Sequence, residues 1–140
     1  MIVYLLRHAR AGHRAEWDGD DRLRPLDARG RRQAEGLVAQ LAGREFRRIL
    51  SSPYVRCVET VMPLAEARGL TVEPADELAE GAGSRAALGL LRRVGEPLVA
   101  CVHGDLAVDL VGEKLKKGAT AVLELNGDGV EVLERLEPPA

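Results

Sequence analysis

The chain has 140 residues, 30% of them charged and 46% hydrophobic, and only four aromatic side chains: Tyr4, Trp17, Phe46 and Tyr54. The length predicts one compact domain, and the ordinary hydrophobic fraction excludes wholesale disorder. Twenty Lys+Arg against 22 Asp+Glu leave a net charge of -2, which argues against general nucleic-acid binding, yet the basic set is lopsided at 17 Arg to 3 Lys.

Ile2 to Leu6 is a continuous apolar run of strand length, the pattern of a strand covered on both faces. Residues 9–26 are polar, show no period and read as a loop. Asp27 is placed to cap a helix on which Ala34, Leu37, Val38 and Leu41 recur at helical spacing, stopping near Gly43. Phe46 to Leu50 reads as a second strand. Ser52-Pro53 is expected to open a helix carrying Val58, Val61, Met62 and Ala65, with a kink at Pro63 and a stop at Gly69. Leu70 to Glu73 is a short strand, and Ser84 is expected to cap a helix with Ala87, Leu88, Leu91 and Val94. Pro97 to Val102 is another apolar strand, after which His103-Gly104-Asp105 opens a short helix. Ala119 to Leu125 and Val130 to Leu136 flank the turn-rich Asn126-Gly127-Asp128-Gly129 and predict a hairpin, and the tail at 138–140 is expected to fray. The alternation predicts an α/β three-layer sandwich: a mostly parallel sheet with helices on both faces and a C-terminal antiparallel hairpin at one edge.

No apolar stretch approaches the ~20 residues that span a bilayer, and Ile2–Leu6 runs directly into Arg7-His8 without the pattern of a signal peptide. A cytoplasmic protein that does not engage membranes is expected. Cys57 and Cys101 sit singly in apolar runs, which predicts buried free thiols rather than a disulfide.

In sheets of this kind ligands bind beyond the carboxyl ends of the strands. Arg7-His8 follows the first strand, Ser51-Ser52-Pro53-Tyr54-Val55-Arg56 the second, and His103-Gly104-Asp105 the last parallel one. Two arginines and two histidines are thereby directed toward one crevice. Guanidinium forks match phosphate oxygens, and imidazole can donate a hydrogen bond or act as a nucleophile, so the combination suits a phosphoryl group.

These segments resemble the histidine phosphatase superfamily, whose fold is also called phosphoglycerate mutase-like. Leu6-Arg7-His8-Ala9 resembles its Arg-His-Gly/Ala signature, Ser51 to Thr60 its Ser-Ser-x-x-x-Arg-x-x-x-Thr segment, and Val102-His103-Gly104-Asp105 its second histidine motif. Arg24-Pro25-Leu26-Asp27-Ala28-Arg29-Gly30 resembles its Leu-Thr-x-x-Gly step, with Asp27 in place of threonine. The resemblance implies that His8 takes the phosphoryl group as a phosphohistidine, while Arg7, Arg56 and His103 hold its oxygens. A backbone carbonyl is expected to fix the His8 tautomer. The family draws its proton donor from a glutamate after the third strand, which points to Glu80, with Glu77 as the alternative. Arg24 is the best substrate-binding candidate among Arg10, Arg14, Arg22 and Arg24, which otherwise read as solvated surface. Lys114, Lys116 and Lys117 read as a soluble turn.

Arg-His-Ala-x-Ala and the short length are most similar to the SixA-type phosphohistidine phosphatases, which implies a single domain over 1–140 without a lid. The expected substrate is a phosphorylated one, with a histidine-phosphorylated protein favoured and a small phosphomonoester the alternative. No cofactor and no metal are expected, and a monomer or weak dimer is. Two readings of other classes compete: a metal-dependent hydrolase using His8, His13, His103 and Asp105, which lack helical ligand spacing, and a non-catalytic phosphate-binding module.

Overall fold

The computed structural model describes residues 1–127 and 129–139. Six strands form one mixed sheet in the order β3-β2-β4-β1-β5-β6. They are β1 Ile2–Arg7, β2 Arg48–Ser51, β3 Val72–Pro74, β4 Leu98–Val102, β5 Thr120–Asn126 and β6 Gly129–Leu136. β1 to β4 run parallel, and β5 joins β1 antiparallel and carries β6 at the edge. This is the predicted α/β arrangement with its hairpin. Asp128, in the predicted turn, and Ala140 lie outside the described residues.

The period-2 geometry of the buried strands separates two cores. Val3 and Leu5 of β1 and Leu98, Ala100 and Val102 of β4 face α3 (Ser84–Val94) and α4 (Gly104–Val111). Tyr4 and Leu6, with Val99 and Cys101, face α1 (Ala28–Gln40) and α2 (Val55–Arg68). With aromatics so scarce, Leu and Val fill both layers, and one edge-to-face pair, Tyr4 with Phe46 at 5.8 Å, closes the second. Phe46 contributes this packing from just before β2 rather than within it.

Capping explains where the helices start. The Asp27 carboxylate accepts from Gly30 N, as predicted, and also from Gly12 N, tying the loop after β1 to α1. Ser52 does not cap α2: that helix starts at Val55 with Tyr54 in the capping position, because the Ser52 hydroxyl is directed at His103. Nor does Ser84 cap α3, since it is the first helical residue and Gly83, at φ 92°, turns the chain into the helix. α2 continues through Pro63 and ends at Gly69 in the left-handed region. Gln40 Nε2 donates to Glu137 O at 2.8 Å, and Pro139 lies against Gly36 of α1. Residues 9–26 contain two 3-10 turns, Arg14–Glu16 and Asp21–Leu23. Among the described residues no helix is long and apolar enough to cross a membrane.

Candidate active site

Strand register brings the site together. Arg7 pairs with Val102 and Ser51 with Cys101, so His8, His103 and Ser52 emerge side by side from three adjacent parallel strands. The His8 amide donates to Val102 O and the Ser52 amide to Cys101 O, each at 3.0 Å, extending the ladder one step into the site. The His8 and His103 rings lie 5.4 Å apart between centroids.

His8 is 6% exposed, and its Nδ1 lies 2.8 Å from the carbonyl oxygen of Ala9. A carbonyl only accepts, so Nδ1 carries the hydrogen and Nε2 presents a lone pair. Burial, opposed by the Ala9 carbonyl and reinforced by His103, Arg56 and Arg7, lowers the His8 pKa to about 3. The imidazole is therefore neutral near pH 7. Thr60, whose hydroxyl donates to Arg56 O at 2.7 Å, accepts the Ala9 amide at 2.9 Å and fixes the backbone beside His8.

Arg7 donates through one terminal nitrogen to Leu115 O at 2.7 Å and packs against Gly104, where a Cβ would come within 2.8 Å of the guanidinium carbon. Arg56, 1% exposed, donates to Asp21 O at 2.8 Å and Asp21 Oδ2 at 3.0 Å. His103 faces the Ser52 hydroxyl with Nε2 at 2.8 Å. Its other nitrogen, Nδ1, has no hydrogen-bond partner, and neither do Arg7 Nε and Arg56 Nε. Buried polar atoms are almost always satisfied, so the unpaired guanidinium donors Arg7 Nε and Arg56 Nε, with His103 Nδ1 likewise unpaired, make this crevice a candidate seat for an anion.

The seat opens into a cleft of about 620 Å³. Glu80 stands in its wall: Oε2 lies 3.7 Å from His103 Nδ1, and both oxygens accept from Arg14 at 3.1 Å. Glu77, the alternative, is outside the cleft and pairs with Arg93. Arg24 lines the cleft but is 7% exposed and largely committed, donating to Asp21 Oδ1, Ala11 O and Gly12 O at 2.8–3.0 Å. Arg22 pairs with Asp20 at the surface. Arg14 is exposed, as expected of solvated surface, and from there it also holds Glu80; Lys114, Lys116 and Lys117 lie exposed in the predicted turn, and Lys114 and Lys117 line the cleft. His13 also lines it, but among the described residues no group of three or more His, Cys, Asp or Glu is placed to hold a metal ion. Cys57 and Cys101 are buried and free, with Cys57 Sγ 3.5 Å from His103 Nε2.

Asp21 is the important residue that the sequence reading missed. It holds Arg56 and Arg24 at once, and nothing in an aperiodic loop identifies which of its carboxylates will turn inward. Thr60 was visible as the last residue of the Ser-Ser-x-x-x-Arg-x-x-x-Thr segment, but its partner, the Ala9 amide, lies 51 residues away.

The model of the histidine phosphatase superfamily (branch 1) matches residues 3–88, which contain every strand-end motif except that of His103. The chain belongs to the histidine phosphatase superfamily. It is similar to the 8-oxo-(d)GTP phosphatase of Mycolicibacterium smegmatis, with 35% identity over 98% of this chain and 48% of that protein. The chain thus spans about half the length of this curated relative. Among solved structures, a SixA protein of Agrobacterium tumefaciens, assigned as a phosphohistidine phosphatase, superposes with a TM-score of 0.80 at 26% identity over 98% of both chains. The protein histidine phosphatase SixA in complex with tungstate gives 0.81 at 24% identity, over 99% of this chain and 97% of that one, a likeness of fold.

Proposed function

We propose that the protein removes phosphoryl groups through a phosphohistidine formed at His8, as a single domain over the residues described. The observation that carries this reading is the set of unpaired nitrogens, the donors Arg7 Nε and Arg56 Nε together with His103 Nδ1, beside a neutral imidazole with a free Nε2 lone pair; with the Ser52 hydroxyl donating to Nε2, His103 carries its hydrogen at Nδ1. His8 Nε2 attacks phosphorus as the bond to the leaving group breaks, and the three donors take the oxygens on which charge develops. Water then attacks from the opposite side, the P–N bond breaks, and its electron pair returns to His8. Glu80, beside the seat, gives a proton to a leaving group that needs one and takes the proton of that water. Neither a metal nor a cofactor has a role in these steps.

Two substrate classes have support. The Arg7-His8-Ala9-Arg10-Ala11 segment and the likeness to SixA structures favour a phosphohistidine on a protein partner. The 35% relative, named for a nucleoside triphosphate, and the lysines of the cleft wall favour a small phosphorylated anion. Imidazole and phosphate leave without a late proton, whereas an alkoxide needs one, so only alkyl phosphates call on Glu80 as a donor. A panel of phosphohistidine protein, nucleoside phosphates, phosphoamino acids, sugar phosphates and p-nitrophenyl phosphate tests this, run with chelator present. His8→Ala should abolish turnover throughout. Glu80→Gln should cost more on alkyl phosphates than on phosphohistidine or nucleoside di- and triphosphates, and an equal loss on all would refute the role given to Glu80.

A further inference from the structure

Beyond the seat at His8 lies a second, open cavity of about 510 Å³, lined by Arg10, Arg29, Gln33, Lys116 and Lys117 and bordered by the tail at Glu137–Pro139. Lys117 lines both cavities, so one basic residue is shared between the reaction cleft and this second basic recess. Its position is fixed through the backbone. The next residue, Gly118, donates its amide to both Arg7 O and His8 O at 3.0 Å, and Leu115 O accepts from the Arg7 guanidinium. Gln33, 5% exposed, joins the two walls: Oε1 accepts the Arg10 amide at 3.1 Å and Nε2 donates to Lys117 O at 3.4 Å. Gly118 has φ +87° and approaches Gln33 so closely that a Cβ would meet its amide at 3.3 Å, which keeps this junction tight.

The recess is positively charged and little neutralised. Glu137, the carboxylate in its wall, is taken by Lys116 at 3.1 Å. Among the described residues no carboxylate pairs with Arg10, Arg29 or Lys117. Partial burial together with Arg7, Arg10 and Arg24 lowers the Lys117 pKa, with Asp27 the weaker opposing charge. Like charges held together on a rigid scaffold are unfavourable unless an anion joins them.

We propose that Lys117, Arg10 and Arg29 form a subsite for a second phosphate of the same substrate molecule, so that the preferred substrates are polyphosphates whose terminal phosphoryl group is transferred to His8. The proposal rests on the phosphatase reading and takes the small-anion side of it. The chain of phosphates leads from the seat past Lys117 to Arg10 and Arg29. In the transfer the His8 Nε2–P bond forms and the P–O bond to the bridging oxygen breaks. The electron pair leaves on that oxygen as part of the next phosphate, an anion that the subsite retains and that needs no proton from Glu80.

Calorimetric titration of the His8→Ala protein with inorganic phosphate, pyrophosphate and tripolyphosphate at matched ionic strength measures the subsite without turnover. Should that variant fail to fold, His8→Asn replaces it. Tripolyphosphate is expected to bind at least about tenfold more tightly than phosphate, a margin set by two or three charge-assisted contacts in partly solvated surroundings. Adding Arg10→Ala and Arg29→Ala should erase that margin. Adding Arg85→Ala and Arg92→Ala, which remove the same charge from α3 on the other face of the sheet, should preserve it. Equal affinity for phosphate and tripolyphosphate would overturn the subsite, as would equal losses in the two charge-matched sets. Hydrolysis of p-nitrophenyl phosphate by the unmodified protein but not by His8→Ala reports separately on the phosphatase reading.

Discussion

His8 shows how burial prepares a nucleophile. An exposed histidine is partly protonated at pH 6, whereas burial and the cationic neighbours hold this one neutral down to about pH 3. Its ring resonances are therefore expected to stay at their neutral positions from pH 8 to pH 5 in an NMR titration, and a midpoint near 6.5 would contradict the site described. The same shift has a consequence for stability. The unfolded chain binds a proton at His8 below pH 6.5 and the folded chain does not, so the unfolded state gains protons as pH falls. Stability from this group is complete above pH 6.5 and declines toward pH 3, at up to about 1.4 kcal/mol per pH unit. Urea unfolding of His8→Ala should show a shallower loss of stability over that window than the unmodified protein.

At the scale of elements, the site depends on backbone contacts that only particular residues allow. α1 presses against the loop after β1 at Gly30, where a Cβ would overlap the Arg10 carbonyl, which gives a steric reason for the glycine in the Arg24–Gly30 step. α4 opens against the Arg7 side chain at Gly104. Gly104→Ala is expected to displace the end of a flexible side chain rather than backbone. Thermal unfolding should change little, while kcat/KM falls by roughly two orders of magnitude through misplacement of a phosphate donor. A large loss of stability with activity retained would show that Gly104 serves packing and not the seat. Strand ends, the Asp27 cap and the Gly69 stop were legible because each is a local pattern. The start of α2 was not: a Ser-Pro pair reads as a cap, but the Ser52 hydroxyl is committed to His103, a partner 51 residues away. Ser84 failed for the opposite reason, since the preceding glycine turns the chain and needs no side-chain acceptor.

Across the whole molecule, the parallel strands gather the seat and the connections decide what enters it. The arginine excess divides accordingly: Arg7 and Arg56 stand at the seat, Arg14 and Arg24 organise the loop over it, and Arg10 and Arg29 line the recess beside it. The near-neutral net charge concealed this asymmetry because acidic residues elsewhere balance it. Residues 9–26 and the lysines at 114–117 read from sequence only as a loop and a soluble turn, and these segments carry Asp21, Arg14 and Lys117. The chemistry at His8 was thus legible in motifs, and the walls that select the substrate were not. The most direct test of the central claim is intact-mass measurement after rapid mixing with substrate and quenching in base, where phosphohistidine survives. The unmodified protein should gain one phosphoryl group at His8, and His8→Ala none. A phosphoryl adduct persisting in His8→Ala, or turnover without any adduct in the unmodified protein, would contradict the account.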